Sequence, residues 1–336
     1  QLAKAGVSNC RFPVDGEPTL DIVRSGVGHA REEHCDVVIG FGGGSALDAA
    51  KAIAALMTNH GELVDYLEVI GAGKPLAHPG APFIAIPTTA GTGTEVTRNA
   101  VLASPEHRVK VSLRSPRMLA RLAVVDPELT FDLPREVTAR TGLDALTQLV
   151  EPYVSLRANP MTDGFCVEGL RRVARSLRRA FHDGHNAEAR TDMSMASLLS
   201  GLALANAGLG VVHGFAGPVG GMFPAPHGAI CAALLPYGMD VNIRALRSRA
   251  PKSGSLRRYE TVASILTGKP NAAAQDGVEW AAEICRELRI PALGSYGVST
   301  GHISALVENA SQASSMKANP IVLTLEELHE VLGRSI

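Results

Sequence analysis

Four side chains carry the strongest chemical signal in this chain: Asp144 and Gln148 in TGLDALTQ, His213 in VVHG and His227 in APHG. Asp144 and Gln148 stand one helical turn apart, so a helix through this run presents both on one face. A carboxylate and two imidazoles form a sufficient core for a divalent cation, with a position left open for substrate. Asp144 lies among apolar neighbours, where an uncompensated charge is costly. His227, between Pro226 and Gly228, opens an apolar segment. A helix N-terminus there would disfavour imidazolium and keep the ring neutral for a metal. Either histidine alone reads as a hydrogen-bonded core residue. Asp144, His213 and His227 together point to a cation.

A second signal precedes these residues. Gly42-Gly43-Gly44-Ser45 follows the apolar run CDVVIGFG and leads into SALDAAKAIAALM. Glycines let a backbone approach an anion closely, and a helix N-terminus offers unpaired N–H groups with a favourable dipole. Ser45 with Asp48 three residues later reads as a capping-box variant that starts the helix. The spacing is not the GxGxxG fingerprint, and a glycine cluster alone also suits a tight turn. Thr88-Thr89-Ala90-Gly91-Thr92-Gly93-Thr94-Glu95 follows the next apolar run, and open α/β sheets bind ligands at such strand ends. Lys110 in HRVKVSL is placed to meet a phosphate or a ribose. A dinucleotide site upstream of a metal pocket predicts hydride chemistry.

The elements that position these groups divide into two textures. Runs 35–42, 81–89 and 121–129 read as strands, and 45–57 as a helix between them, which predicts a parallel α/β sheet. After Pro134, helical patterns dominate: 135–156, 160–182, 187–207, 229–248, 255–267, 271–288 and 325–334. The expected organisation is therefore an α/β dinucleotide-binding domain over 1–133 and an all-helical metal and substrate domain over 134–336.

Composition sets the outer bounds. The chain has 336 residues, 46% hydrophobic and 19% charged, which fits folded domains rather than disorder. A formal net charge of −1 gives no global field for nucleic acid or an acidic membrane. Arg171, Arg172, Arg175, Arg178 and Arg179 repeat at helical spacing and read as a solvated face. Five cysteines without CxxC spacing argue against a disulfide framework and for a reducing, cytoplasmic setting. Cys35 and Cys231 lie in apolar runs and read as packing residues.

The sequence resembles the iron-containing (group III) alcohol dehydrogenase family over essentially its whole length. The resemblance rests on GGGSALDAAKAIA, IPTTAGTGTEVT, TGLDALTQLVEPYVS, GLGVVHGFAGPVGG with PHGA, and the ending MKANPIVLTLEELHEVL, in that order. It implies a Rossmann-like N-terminal domain, a helical-bundle C-terminal domain, NAD or NADP, and a divalent metal between the domains. Fe2+ is the expected ion, with Zn2+ or another divalent ion as substitutes. It assigns the cofactor phosphates to Gly43, Gly44 and Ser45, with Asp48 in the same turn. The cofactor loop falls on Thr88, Thr89, Thr92 and Thr97, and the cofactor lysine on Lys110. Metal binding falls on Asp144, Gln148, His213 and His227, and the two histidines act in catalysis through the metal.

Two positions depart from the family pattern. Gln148 stands where the family has a third metal histidine, and an amide oxygen is a harder, weaker ligand than imidazole. Gly217 stands where many relatives carry another histidine near the substrate. The resemblance begins inside the family's first domain, so the first strand, where relatives discriminate NAD from NADP, would precede Gln1. The expected activity is NAD(P)-dependent, metal-assisted alcohol oxidation or aldehyde reduction, on a small alcohol, aldehyde or keto substrate, by a homodimer. A metal-independent reductase similar to maleylacetate reductase is favoured by Gln148 and opposed by Asp144, His213 and His227; its diacid would have only Arg98 nearby. A lyase similar to dehydroquinate synthase and a non-catalytic nucleotide-binding protein are the readings from other classes.

Overall fold

A computed structural model describes residues 2–336, which form two compact units. One runs through Thr88 and resumes over Thr94–Val125; the other comprises Thr89–Gly93 and Asp126–Ile336.

The first unit contains α1 (Leu20–Glu32), β1 (Val38–Gly42), α2 (Gly44–Met57), β2 (Phe83–Pro87), β3 (Asn99–Ser104), β4 (Val109–Arg114) and β5 (Leu122–Ala123). β1, β2 and β5 form a parallel sheet in the order β1-β2-β5, with Val38 opposite Phe83 and Gly42 opposite Pro87. β1 was expected to be buried throughout, yet Ile39 is 38% and Phe41 61% exposed. The period-two geometry of a strand explains this. Gly40 faces α2, where an added Cβ would reach Ala50 and Leu47 at 3.0 Å, and its neighbours face the other way. The expected strand over 121–129 shrinks to Leu122–Ala123, because Pro127 opens a 3-10 turn over Pro127–Thr130 that the Asp126 side chain caps. α1 and the β3–β4 hairpin lie outside the sequence reading. Both are legible afterwards: Thr19 caps α1 ahead of buried Val23 and Val27, and Val111 and Leu113 alternate with Lys110 and Ser112.

The second unit is helical: α3 (Arg135–Val154), α4 (Pro160–His182), α5 (Ala187–Ala207), α6 (Val211–Met222), α7 (His227–Arg249), α8 (Gly254–Thr267), α9 (Ala274–Glu287), α10 (Ile303–Ser311) and α11 (Leu325–Gly333). α3 is the central element, buried from Gly142 to Val154 and packed against α4, α5, α7 and α8. Burial on every side over this stretch, polar face included, places the helix inside the bundle. Leu143, Leu146, Leu149 and Val150 meet Leu170 and Leu177 of α4 and Leu235 and Met239 of α7 in one core. The arginine run on α4 is not a purely solvated face. Arg172 and Arg175 converge on buried Asp192 of α5, and Arg178 pairs with Glu287 of α9. No single helix among the described residues is long and apolar enough to cross a membrane.

Candidate metal centre and nucleotide turn

The helical unit brings the distant chemical residues together. α3 presents Asp144, Gln148 and Glu151 at successive turns of one face, and all three are buried. His213 sits in the first turn of α6, and His227 is the first residue of α7. The start of α7 can approach α3 because position 228 is glycine. A Cβ there would lie 2.4 Å from the Arg140 carbonyl oxygen. The result is a cluster of ligand atoms. Asp144 Oδ1 lies 3.5 Å from His213 Nε2 and 3.6 Å from His227 Nε2. Cys231, one turn after His227, places Sγ 3.6 Å from each of these nitrogens. All four atoms fall within 4.8 Å of one another.

Two observations show that this donor set fits a cation. Asp144 Oδ1 is buried with no hydrogen-bond partner, a condition it shares only with His29 Nε2 among the described residues. Natural interiors rarely leave such an atom without a counterpart. Four of the six donor separations, 3.5–3.6 Å, also fit: bonds of about 2.0–2.3 Å in a tetrahedral shell separate their donors by roughly 3.3–3.8 Å. His227, whose side chain is 35% exposed, marks the side from which solvent reaches an otherwise closed cluster.

Glu151 was missed in the sequence. Its Oε2 accepts from His213 Nδ1 at 2.7 Å, and its Oε1 from the Val212 amide at 2.7 Å. With Nδ1 as donor, the His213 lone pair resides on Nε2, directed at the cluster. The readable signal was an acidic residue seven positions after Asp144 in the same apolar helix. Gln148 is held differently. Its Oε1 lies 3.1 Å from Ser200 Oγ, and the same hydroxyl lies 2.8 Å from the Ser197 carbonyl and 3.5 Å from that of Gly91.

The protonation of His227 differs from the helix-terminus expectation. Burial lowers its pKa, but Cys231 and Asp144 outweigh burial and hold it above the ordinary value. At His213 burial likewise lowers, while Cys231, Asp144 and Glu151 drive the imidazole well above its ordinary range. Burial raises Asp144, and His227 and His213 more than reverse it. A cation in this place competes with protons for the same lone pairs.

The α/β unit holds the glycine turn. Gly42 has φ +152°, and a Cβ there would meet Ala46 Cβ at 2.7 Å, so the turn admits no larger residue. Gly43 caps α2 and Gly44 begins it. The first intrahelical bond runs from Leu47 N to Gly43 O, which leaves the amides of Gly44, Ser45 and Ala46 ahead of the ladder. Ser45 and Asp48 do not cap the helix. Asp48 instead accepts from Thr94 Oγ1 and from the Val101 amide. A second unanticipated residue organises this region. Lys51 is fully buried, and its Nζ donates to the carbonyls of Thr94, Thr97 and Asn99 at 2.6, 3.0 and 2.9 Å. Thr97 is buried with its hydroxyl 3.0 Å from the same ammonium. Lys110 pairs with Glu17 at 2.9 Å. Thr88 donates its amide to Gly42 O, while Thr89 and Thr92 are half-buried in the segment that groups with the helical unit.

A parallel-sheet unit with a glycine turn and a helical unit with a carboxylate–imidazole cluster suited to a cation are the two features to set beside known proteins. Comparison with known proteins gives the family. Residues 1–127 match the family described as iron-containing alcohol dehydrogenase, and residues 138–336 match the C-terminal part of the Fe-containing alcohol dehydrogenase family. Long-chain-alcohol dehydrogenase 1 of Geobacillus thermodenitrificans is 39% identical over 316 residues, covering 92% of this chain and 77% of that protein. The 1,3-propanediol dehydrogenase of Citrobacter freundii is 34% identical over 341 residues, covering 99% and 85%. A solved 1,3-propanediol oxidoreductase superposes with a TM-score of 0.91 at 33% identity, covering 100% of this chain and 86% of that one. Sulfoacetaldehyde reductase from Bifidobacterium kashiwanohense, solved with NAD+, gives 0.85 at 28% identity, covering 98% and 84%. The chain belongs to the iron-containing alcohol dehydrogenase family. It is an NAD(P)-dependent, metal-assisted oxidoreductase acting on CH–OH groups.

Proposed function

We propose that the helical unit holds the divalent cation through Asp144, His213 and His227, with Gln148 beside them. The α/β unit holds the nicotinamide nucleotide on Gly43, Gly44 and Ser45, assisted by Thr88; the expected cofactor loop continues into Thr89 and Thr92, which group with the helical unit. Asp48 and Thr97, bound up with Lys51 and Thr94, keep turn and loop in register, and Lys110 reaches the nucleotide only by leaving Glu17. The observation that carries the metal assignment is the unpartnered, buried Asp144 Oδ1 facing two imidazole Nε2 atoms. When bound, the cation supplies Lewis acidity toward an alcohol or carbonyl oxygen and the nicotinamide supplies the hydride chemistry.

The chain's own residues set the conditions for that chemistry. Glu151 fixes the His213 ring and its tautomer, and raises its basicity as a ligand. Asp144 brings a negative charge into a buried site, which draws a cation strongly. The glycine turn leaves three backbone amides ahead of α2 for phosphate oxygens. The substrate class we infer is a primary alcohol and its aldehyde, the chemistry named in relatives such as the long-chain-alcohol and 1,3-propanediol dehydrogenases. A reducing compartment accords with five free thiols.

The test is NAD(P)H oxidation with a panel of aldehydes, before and after chelation and metal add-back. Loss of activity on chelation with recovery on add-back supports the reading. Full turnover in chelated protein points instead to a metal-independent reductase. Absence of net cofactor turnover points to a lyase, and absence of any turnover to a binding protein.

A further inference from the structure

From the arrangement of α6 and α7 we infer that Cys231 supplies a sulfur ligand to the cation beside Asp144, His213 and His227, with the substrate oxygen as an added ligand. The inference deepens the metal assignment above and rests on it. Cys231 reads in the sequence as a small apolar packing residue, and it is fully buried. Its direction tells otherwise. It follows His227 by one turn of α7, so both side chains project from the same face. Its Sγ lies 3.6 Å from His213 Nε2 and 3.6 Å from His227 Nε2, while Asp144 Oδ1 lies 3.5 and 3.6 Å from the same nitrogens. A tetrahedral ion with about 2.0–2.1 Å bonds to nitrogen and about 2.3 Å to sulfur sets its N···S edge near 3.6 Å. The sulfur therefore stands where a ligand would stand.

The neighbouring amide of Gln148 is directed elsewhere. The Gln148 oxygen already has the Ser200 hydroxyl 3.1 Å away. As the ion binds, the S–H bond breaks, sulfur keeps the electron pair as it bonds the metal, and the proton passes to solvent. A set of one oxygen, two nitrogens and one sulfur selects borderline-soft ions such as Zn2+, Co2+ or Fe2+ over Mg2+ and Mn2+.

The test is titration of chelated full-length protein with Co2+, followed in the visible and near-ultraviolet. Visible ligand-field bands report any ordered cobalt site. A near-ultraviolet sulfur-to-cobalt charge-transfer band reports a thiolate ligand. We expect both in the unmodified protein and in Gln148→Ala, and ligand-field bands alone in Cys231→Ser. Competition with a chelator should show Cys231→Ser weakening metal binding at least about tenfold, more than Gln148→Ala does. Ligand-field bands without charge transfer in the unmodified protein would overturn the sulfur ligand and leave the metal assignment standing. No cobalt site of any kind would overturn both. The refuting spectrum comes from the unmodified protein, and loss of the charge-transfer band in Cys231→Ser assigns it to this cysteine among the five.

Discussion

Two of the buried polar clusters, one around Lys51 and one around Asp144, differ in how completely they close upon themselves. Around Lys51, each partner is matched: three carbonyls and the Thr97 hydroxyl take the ammonium, and Asp48 takes Thr94 Oγ1 and the Val101 amide. Around Asp144, the surrounding groups converge but leave Oδ1 without a hydrogen bond. A closed network fixes local structure, here the link between α2, the loop 94–97 and β3. An open one holds a place for something that is not protein. In the proposed assignment the cation is the partner that Asp144 Oδ1 lacks.

The comparison can be broken most forcefully at Asp144. Asp144→Asn keeps the shape but removes the anionic ligand, and kcat/KM should fall about 10^4-fold, equivalent to about 5.5 kcal/mol. Urea unfolding of the same variant should show a much smaller change than its activity does. Lys51→Met should behave in the opposite manner. Three buried carbonyls lose their donor and Asp48 its counter-charge, at a cost of roughly 3–5 kcal/mol of stability, read from the shift in denaturant midpoint.

A pH series sharpens the same contrast. Burial pushes the Lys51 ammonium down to about 8 from 10.5, with Asp48 and Glu95 opposing it. Below pH 8 folded and unfolded chains both keep this proton, and the group adds no pH dependence. Between about 8 and 10.5 the unfolded chain holds more protons, so the Lys51 contribution makes stability rise with pH. The full rise is roughly 3 kcal/mol. Lys51→Met should lack that component in a denaturation series across the interval; an unchanged slope would refute it. The smallest effect is expected at Glu151→Gln, which keeps a hydrogen bond to His213 but loses the carboxylate. Metal affinity should drop roughly 10–100-fold, measured by chelator competition.

What the sequence revealed follows the same division. Asp144, His213 and His227 stood out because a charge and two imidazoles are conspicuous in apolar surroundings, and the structure gathers them. Lys51 was invisible because a lysine in DAAKAIAA reads as an exposed helix residue; only the partners contributed by residues 94–99 make it central. Cys231 was taken for packing because sulfur in an apolar run is ambiguous, although its spacing from His227 already placed both on one face. Glu151 carried the same kind of signal relative to Asp144. Among the elements, long helices of the second unit were readable from periodicity, whereas α6, rich in glycine and interrupted by Pro218, was not. Its helicity comes from packing against α7 and α10 rather than from propensity. The β3–β4 hairpin is hard to read because each strand is six residues long, too short for the alternation of Val109, Val111 and Leu113 with Lys110 and Ser112 to stand out.

The central claim is that one cation is held in the helical unit by residues far apart in the chain. Metal content of the purified protein, determined beside that of Asp144→Asn after identical dialysis, tests it most directly. The account predicts close to one divalent ion per chain in the former and almost none in the latter. Equal metal content in the two proteins, with both folded, would contradict it.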